Sequence, residues 1–144
     1  MDGSVIPASE ISASALQAER MRLEIVAQNL ANMNTTRGPN GQVYRRKLVT
    51  FESAMQQAQG VGQTAQPAGV RVSQIAEDAK PLVKVYMPGH PHADAKGMVT
   101  MPNVDMVEEM ADMMTATRSY EANLQVLRSG KQMFDRSLEI GTAR

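Results

Sequence analysis

Two histidines and an aspartate lie within five residues of each other, and their side chains are ligand types found at zinc sites. A structural zinc ion normally takes four protein ligands, yet His90 and His92 are the only histidines in the sequence and there is no cysteine. Pro91 separates the two histidines, which is typical of an exposed turn. We therefore interpret residues 90–94 as a loop, and we predict neither a bound metal nor any other cofactor.

A short basic segment could hold phosphate groups. Arg45, Arg46 and Lys47 follow Tyr44, and basic residues beside an aromatic ring are typical of single-stranded nucleic-acid sites. However, fifteen Lys and Arg balance fifteen Asp and Glu, so the formal net charge is zero and gives no general attraction to polyanions. We predict that the segment is a solvated strand or a salt-bridging rim between subunits, and that the chain binds no nucleic acid.

Three nearby carboxylates could suggest acid–base catalysis. Glu108, Glu109 and Asp112 fall in the first turns of a predicted helix, where the helix dipole favours negative charge. The sequence has no Gly-rich phosphate loop, no recognisable nucleophile beside a base and no cysteine thiolate. We therefore predict no catalytic residue and no enzymatic activity.

Methionine is abundant in one part of the chain, because seven of the twelve Met residues lie between Met87 and Met114. Soft metals bind thioethers, but sites of that kind usually include Cys or clustered His. The helical spacing of these methionines and the flexibility of their side chains favour packing in imperfect interfaces. We interpret them as packing residues.

Near the N-terminus, apolar residues recur at steps of three and four, and this pattern predicts a helix of about 26 residues. Leu16, Leu23 and Leu30 are one heptad apart. Pro7 suits the first helical turn, and Asn34 and Gly38 lie where the pattern stops.

The C-terminal third shows a longer apolar pattern and predicts a second helix over about 104–139. Met113, Tyr120, Leu127 and Phe134 are one heptad apart, and a complementary seam runs beside them. Four heptads exceed what a globular helix usually carries, so this pattern favours coiled-coil packing.

The segment between the helices changes period. Residues 38–41 predict a turn before a strand at 44–51, and shorter strands are predicted at 70–75, 82–87 and 98–101. Residues 54–69 are mostly Gln, Ala and Gly and predict a flexible linker.

The predicted fold is mainly α with a small β region, in which long N- and C-terminal helices pack as a coiled-coil-like bundle around a central β-rich segment. Its regions are residues 1–36, the N-terminal helix of an axial core; residues 37–102, the central segment with its linker; and residues 103–144, the C-terminal coiled-coil helix.

Two helices with apolar stripes need something to cover those stripes. They can pair with each other, but each helix also carries apolar residues off its main seam. These are Ala18, Ile25 and Ala27 on the first helix and Val107, Met114 and Val126 on the second. We therefore expect neighbouring subunits to cover what the pair leaves exposed. The predicted interface residues are Leu16, Leu23, Val26, Leu30, Met110, Met113, Tyr120, Leu124, Leu127 and Phe134.

Several motifs resemble those of the bacterial flagellar axial proteins, the family of rod, hook and filament-junction subunits. Residues 14–18 and 29–32 resemble its amino-terminal signature. A basal-body rod member of the family is resembled by residues 41–45, 88–97, 101–105 with 109–110, and 118–123. The motif residues are Asn29, Leu30, Ala31, Asn32, Pro102, Asn103, Val104 and Asp105.

The resemblance implies a structural subunit of the proximal rod. Copies of the chain and other rod proteins would form a helical assembly, the axial drive shaft that transmits torque across the periplasm and encloses the export channel. The flagellar type III export apparatus would be a further partner, and the resemblance also allows contact with surrounding ring proteins.

The beginning of the chain has neither a basic start nor an uninterrupted apolar stretch, so we expect no cleavable signal peptide. The export route that the resemblance implies would account for this. No segment approaches the roughly 18 apolar residues needed to cross a membrane, so we expect no direct membrane insertion. The alternative function is a discrete coiled-coil adaptor or secretion chaperone, which would bury the same stripes against one soluble partner.

Overall fold

A computed structural model describes residues 5–56 and 66–142 of the 144-residue chain. Two long helices lie at its ends and four strands lie between them, so the predicted fold class, mainly α with a small central β region, is confirmed. In chain order the elements are α1 (Val5–Ala31), β1 (Lys47–Gln56), β2 (Gln66–Glu77), β3 (Val83–Tyr86), β4 (Met98–Met101) and α2 (Met106–Thr142).

The two helices pack against each other and run antiparallel, since Asn29 near the end of α1 hydrogen-bonds Glu109 near the start of α2. With 27 and 37 residues, they are about 40 and 56 Å long at 1.5 Å per residue. Asp105 caps α2, because its Oδ1 accepts the backbone N–H of Val107 at 2.8 Å. The longer α2 is solvent-exposed over residues 131–141.

The strands form two separate antiparallel hairpins, β1–β2 and β3–β4. The strand predicted at 44–51 begins at Lys47 and continues to Gln56. The linker predicted at 54–69 is therefore wrong at both ends, since residues 54–56 belong to β1 and residues 66–69 to β2. Backbone pairing across a hairpin does not need apolar side chains, which is why composition missed it. Residues 57–65 lie outside the described residues.

The β1–β2 hairpin lies against α1. The backbone N–H of Val70 donates to Ser14 Oγ at 3.0 Å, and the Arg22 guanidinium lies 4.4 Å from the centre of the Phe51 ring. At Gly69 the strand comes so close to α1 that a Cβ there would lie 2.2 Å from Ser14 Oγ. Gly69 also has φ +122°, which glycine adopts most readily.

Among the described residues, the buried apolar side chains are few and mostly small: Ala18, Ile25, Val26, Val99 and Ala116. The largest fully buried side chains include Glu109 and Asn29, so polar groups occupy the deepest part of the chain. Within the described ranges, no helix is long and apolar enough to cross a membrane.

Candidate functional site

A buried polar cluster joins the end of α1, the start of β1 and the start of α2. It contains Asn29, Arg46 and Asn103, with Glu109 at its centre and Asp78 at its side. Each of these side chains is at most 8% exposed. Because burying a polar group without a partner is costly, the hydrogen bonds of the cluster decide whether this arrangement is stable.

Asn29 uses all the hydrogen-bonding capacity of its side chain. Its Oδ1 accepts the backbone N–H of Lys47 and the hydroxyl of Tyr44, both at 2.9 Å. Its Nδ2 donates to the carbonyl oxygen of Lys47 at 2.9 Å and to Glu109 Oε2 at 3.1 Å. The amide therefore pairs with Lys47 as a neighbouring strand would, which fixes the start of β1 against α1.

Asn103, three residues before α2, holds the same segment from the other side. Its Oδ1 accepts the backbone N–H of Arg46 at 2.8 Å, and its Nδ2 donates to the carbonyl oxygen of Lys80 at 3.0 Å. Asn103 and Asn29, two of the three motif asparagines, thus bind consecutive residues, Arg46 and Lys47. The resemblance pointed to both asparagines, but only the structure shows that they hold one segment between the helices.

Arg46 forms the ionic centre of the cluster. Its Nε donates to Glu109 Oε1, its Nη2 to Asp112 Oδ2 at 2.9 Å, and its Nη1 to Glu108 Oε1 at 3.2 Å. Asp78 Oδ2 lies 3.6 Å from Nη1. Arg46 is 4% exposed and Glu109 is fully buried. The interpretation of residue 46 as part of a solvated strand or inter-subunit rim is therefore wrong, because its partners lie within its own chain.

The carboxylates at the start of α2 have the same explanation. Glu109 is fully buried against Arg46, and Glu108 also accepts Lys80 Nζ at 3.2 Å. From the sequence we explained Glu108, Glu109 and Asp112 by the helix dipole. Their contacts with Arg46 instead join α2 to the residue just before β1, more than 60 residues away in the chain.

The electrostatics follow from this geometry. Burial disfavours the charged guanidinium of Arg46, but the hydrogen bond and negative charge of Glu109, with Glu108 and Asp112, outweigh it and raise the pKa of Arg46. Burial, followed by the charges of Glu109 and Glu77, raises the pKa of Tyr44 above its ordinary 10.0. The cluster therefore keeps Arg46 charged and Tyr44 neutral around neutral pH.

The remaining motif residues differ in their surroundings. Pro102 is buried, and Leu30, Asn32 and Val104 are half-buried. Ala31 and Asp105 are exposed, and Asp105 is the helix cap described above.

Most of the predicted interface residues are half-buried within the single chain. On α1, Val26 is buried, and Leu16, Leu23 and Leu30 are half-buried. On α2 the half-buried residues are Met113, Tyr120, Leu124 and Leu127, whereas Met110 and Phe134 are about half exposed.

A separate line of apolar side chains on α2 faces solvent. Val126, Met133 and Ile140 are seven residues apart, so they follow one side of the helix, and they are 55%, 62% and 77% exposed. We call these three residues the outer seam. Val126 is one of the residues predicted to lie off the main seam, but its repeat with Met133 and Ile140 was not predicted.

A second exposed apolar group lies at the start of α2. It comprises Met106, Val107, Met110 and Met114. Together with the outer seam, these side chains leave an apolar surface on α2 that the single chain does not cover.

The histidine segment forms a turn. Asp94 Oδ1 accepts the backbone N–H groups of Lys96 at 2.8 Å and Met98 at 2.9 Å, and these bonds, first that of Met98, lower the pKa of Asp94. His92 Nδ1 lies 2.8 Å from Thr36 Oγ1, and His90 Nδ1 accepts the His92 backbone N–H. Within the described residues, no three potential metal-ligating side chains of His, Cys, Asp or Glu come together.

Comparison with protein families gives two matches. Residues 10–39 match the family described as flagella basal body rod protein, and residues 95–140 match the C-terminal family of the flagellar basal body rod FlgEFG proteins. The first match includes most of α1, and the second includes most of α2.

Individual proteins are similar over nearly the whole chain. The flagellar basal-body rod protein FlgC of Yersinia enterocolitica is 44% identical over 96% of this chain and 98% of its own length. FlgC of Salmonella typhimurium is 45% identical over 92% of this chain and 94% of its own, and FlgC of Bacillus subtilis is 44% identical over 91% and 94%.

Proposed function

The chain belongs to the family of the flagellar basal-body rod protein FlgC, and we propose that in the rod its α2 packs through the outer seam against helices of neighbouring subunits. It is a structural subunit of the flagellar basal-body rod and not an enzyme. It is located in the basal body and assembles with other rod components. The alternative of a discrete adaptor or secretion chaperone is not favoured.

The observation that carries the proposal is the spacing and exposure of the outer seam. A seven-residue apolar repeat is the pattern by which one helix packs along another. The α1–α2 pair leaves these side chains between 55% and 77% exposed, so pairing within the chain does not satisfy them. A helix from a neighbouring subunit would cover them.

The ten predicted interface residues take a modified role in this proposal. A neighbouring subunit would finish burying Leu124 and Leu127, which the single chain leaves half-buried. Met110 and Phe134, which are about half exposed, would contact the neighbour directly. Contacts between different copies that do not close into a ring generate a helical assembly, as a rod requires.

The proposed arrangement assigns a part to each region of the chain. Residues 1–36 and 103–144 would form the axial core, a stiff helical layer that transmits torque and encloses the export channel. The central segment, residues 37–102, would lie outside that core, where it could meet surrounding ring proteins. Support for this division comes from the family matches, which fall mainly on the two terminal regions.

The proposal extends to how the subunit reaches its place. We expect the flagellar type III apparatus to export it without a cleavable signal peptide into a rod that crosses the periplasm. The support is membership of a family of basal-body rod proteins. The experiment is export of a tagged full-length chain in cells with and without a working flagellar export ATPase; secretion in both would contradict this route.

Val126→Asp tests the interface. It places a charge in the outer seam, where contact with a neighbour would bury it without a partner. Because Val126 is exposed in the single chain, the purified variant should keep its helix content by circular dichroism. In cells lacking the native gene, it should not restore swimming, and electron microscopy should show no completed rods.

Gln125→Asp is the matched control. It adds the same charge at the adjacent exposed position, outside the seam, and should restore swimming to the level of the native chain. Normal swimming and complete rods with Val126→Asp would overturn the proposed interface.

A further inference from the structure

We infer that the buried polar cluster is a register lock, which permits only one longitudinal alignment of α2 against α1. This role concerns how a single chain folds, and it goes beyond rod assembly. Two kinds of contact join the helices. The apolar contacts recur every seven residues along the sequence, whereas the polar contacts occur only once.

The apolar stripes cannot by themselves define the alignment. Leu16, Leu23 and Leu30 repeat every seven residues on α1, and Met113, Tyr120, Leu127 and Phe134 do so on α2. Sliding one helix by seven residues, about 10 Å along its axis, would again place apolar side chains opposite apolar side chains. Few side chains in the described core are both large and fully buried, so tight packing adds little discrimination.

The polar cluster does not repeat. A shift of seven residues would replace Glu109 by Ala116 or by Pro102. Asn29 Nδ2 would lose its bond to Glu109, and the buried guanidinium of Arg46 would lose its most buried partner. Leaving the buried donors Arg46 Nε and Asn29 Nδ2 without acceptors is costly, so the shifted alignment is strongly disfavoured.

The cluster also attaches both helices to the same short segment. Asn29 on α1 binds both backbone groups of Lys47, while Glu109 on α2 binds the side chain of Arg46. Asn103, just before α2, binds the backbone N–H of Arg46. Both helices are therefore positioned by the same two residues, 46 and 47. In coiled coils, a single buried polar residue is known to fix the register of the helices.

The test replaces the ionic pair by apolar side chains of similar size, Arg46→Met with Glu109→Leu. Buried ion pairs can often be replaced in this way without loss of stability, so the variant should fold. The chain has no cysteine, so spin labels can be attached through Gln28→Cys and Gln125→Cys, both at exposed positions. Electron-spin resonance then gives the distance between α1 and α2 in the full-length chain.

The unmodified cluster should give one distance. The double variant should give a second population displaced by up to about 10 Å, the length of one heptad. Arg20→Met with Glu24→Leu is the matched control, since it removes an exposed ion pair of α1 in the same way, and it should keep the single distance.

Glu109→Gln provides a second variant that conserves the shape of the side chain. It should show a smaller displaced population, because its amide still meets Asn29 while Arg46 loses a charged partner. A single unchanged distance in both variants would overturn the lock, as would several distances in the chain with its native cluster. Neither readout depends on rod assembly, so the result is separate from that of the Val126→Asp experiment.

Discussion

The apolar flanks of α1 and α2 are alike in sequence but differ in the folded chain. On α1, the flank residues Ala18 and Ile25 are buried. Ala18 lies one turn from Ser14, which contacts β2, and one turn from Arg22, which contacts β1. On α2, Val107 and Val126 are more than half exposed. The β1–β2 hairpin follows α1 in the chain and folds back onto it, whereas no described element covers the outer side of α2.

This difference revises the expectation that neighbours would be needed on both helices. Ala18 and Ile25 are buried within the chain, and Ala27 is the exposed member of the three flank residues of α1, so the need for a neighbour is concentrated on α2. It also separates two kinds of position: those where a substitution should destabilise the single chain, and those where it should affect assembly alone.

The largest effect on the single chain is expected for Glu109→Ala. Removing this carboxylate leaves two buried donors, Arg46 Nε and Asn29 Nδ2, without their acceptor, at a cost of about 1–3 kcal/mol of unfolding free energy for each. Arg46 keeps its contacts with Asp112, Glu108 and Asp78, so its charge is not left unpaired. Urea denaturation followed by circular dichroism measures the loss.

Glu24→Ala is the control for that substitution, because it breaks an exposed ion pair with Arg20 and should cost no more than about 1 kcal/mol. Equal losses in the two variants would mean that the buried pair contributes no more to the stability of the chain than the exposed pair does.

Gly69→Ala tests how the hairpin covers α1. The new Cβ would collide with Ser14 Oγ and would sit at a φ that alanine disfavours, so we expect a loss of about 1–3 kcal/mol. Gly89→Ala is the control, since nothing lies within 4 Å of its Cβ position, and it should change stability by less than about 0.5 kcal/mol. A harmless Gly69→Ala would show that the close approach is not needed.

How much of this could be predicted is clearest from particular residues. The helices were predictable because their apolar residues repeat locally, and the strand at Met98–Met101 was predicted with its bounds. The burial of Arg46 could not be predicted in this way. Arg46 lies between Arg45 and Lys47, and a run of three basic residues is typical of a solvated segment. Its partners Glu109 and Asp112 lie 63 and 66 residues away, and only the tertiary fold brings them together.

The packing of the β1–β2 hairpin against α1 could not be predicted from the sequence for a related reason. Residues 54–69 contain little that is apolar, yet the structure extends strands into both ends of this segment. Backbone hydrogen bonds and the close approach at Gly69 do not produce a hydrophobic pattern. The outer seam does repeat every seven residues in the sequence, through Val126, Met133 and Ile140, but the exposure that defines it follows only from the structure.

Two aspartate substitutions on α2 sharpen the distinction between its two sides. Leu124 is half-buried, so Leu124→Asp should lower the unfolding free energy of the purified chain by about 1–2 kcal/mol. Val126→Asp should change it by less than about 0.5 kcal/mol. Equal thermal stability of the two variants would contradict the assignment of the covered side.

The smallest effect is a dependence on alkaline pH. Burial and nearby negative charge raise the pKa of Tyr44, so the neutral phenol is favoured in the folded chain. Its contribution, about 1 kcal/mol, should be complete below pH 10.0 and lost as the pH rises through the higher folded pKa. Unfolding measured from neutral to alkaline pH should show this loss, and Tyr44→Phe should weaken it.

The central claim is that a neighbouring subunit covers the outer seam in the rod. Because the chain has no cysteine, Val126→Cys introduces a single thiol whose reaction with a water-soluble maleimide reports its exposure. We predict rapid labelling of the purified chain, protection in isolated basal bodies and renewed labelling once the basal bodies are dissociated in denaturant. Equal labelling of Val126→Cys in the purified chain and in basal bodies would contradict the account.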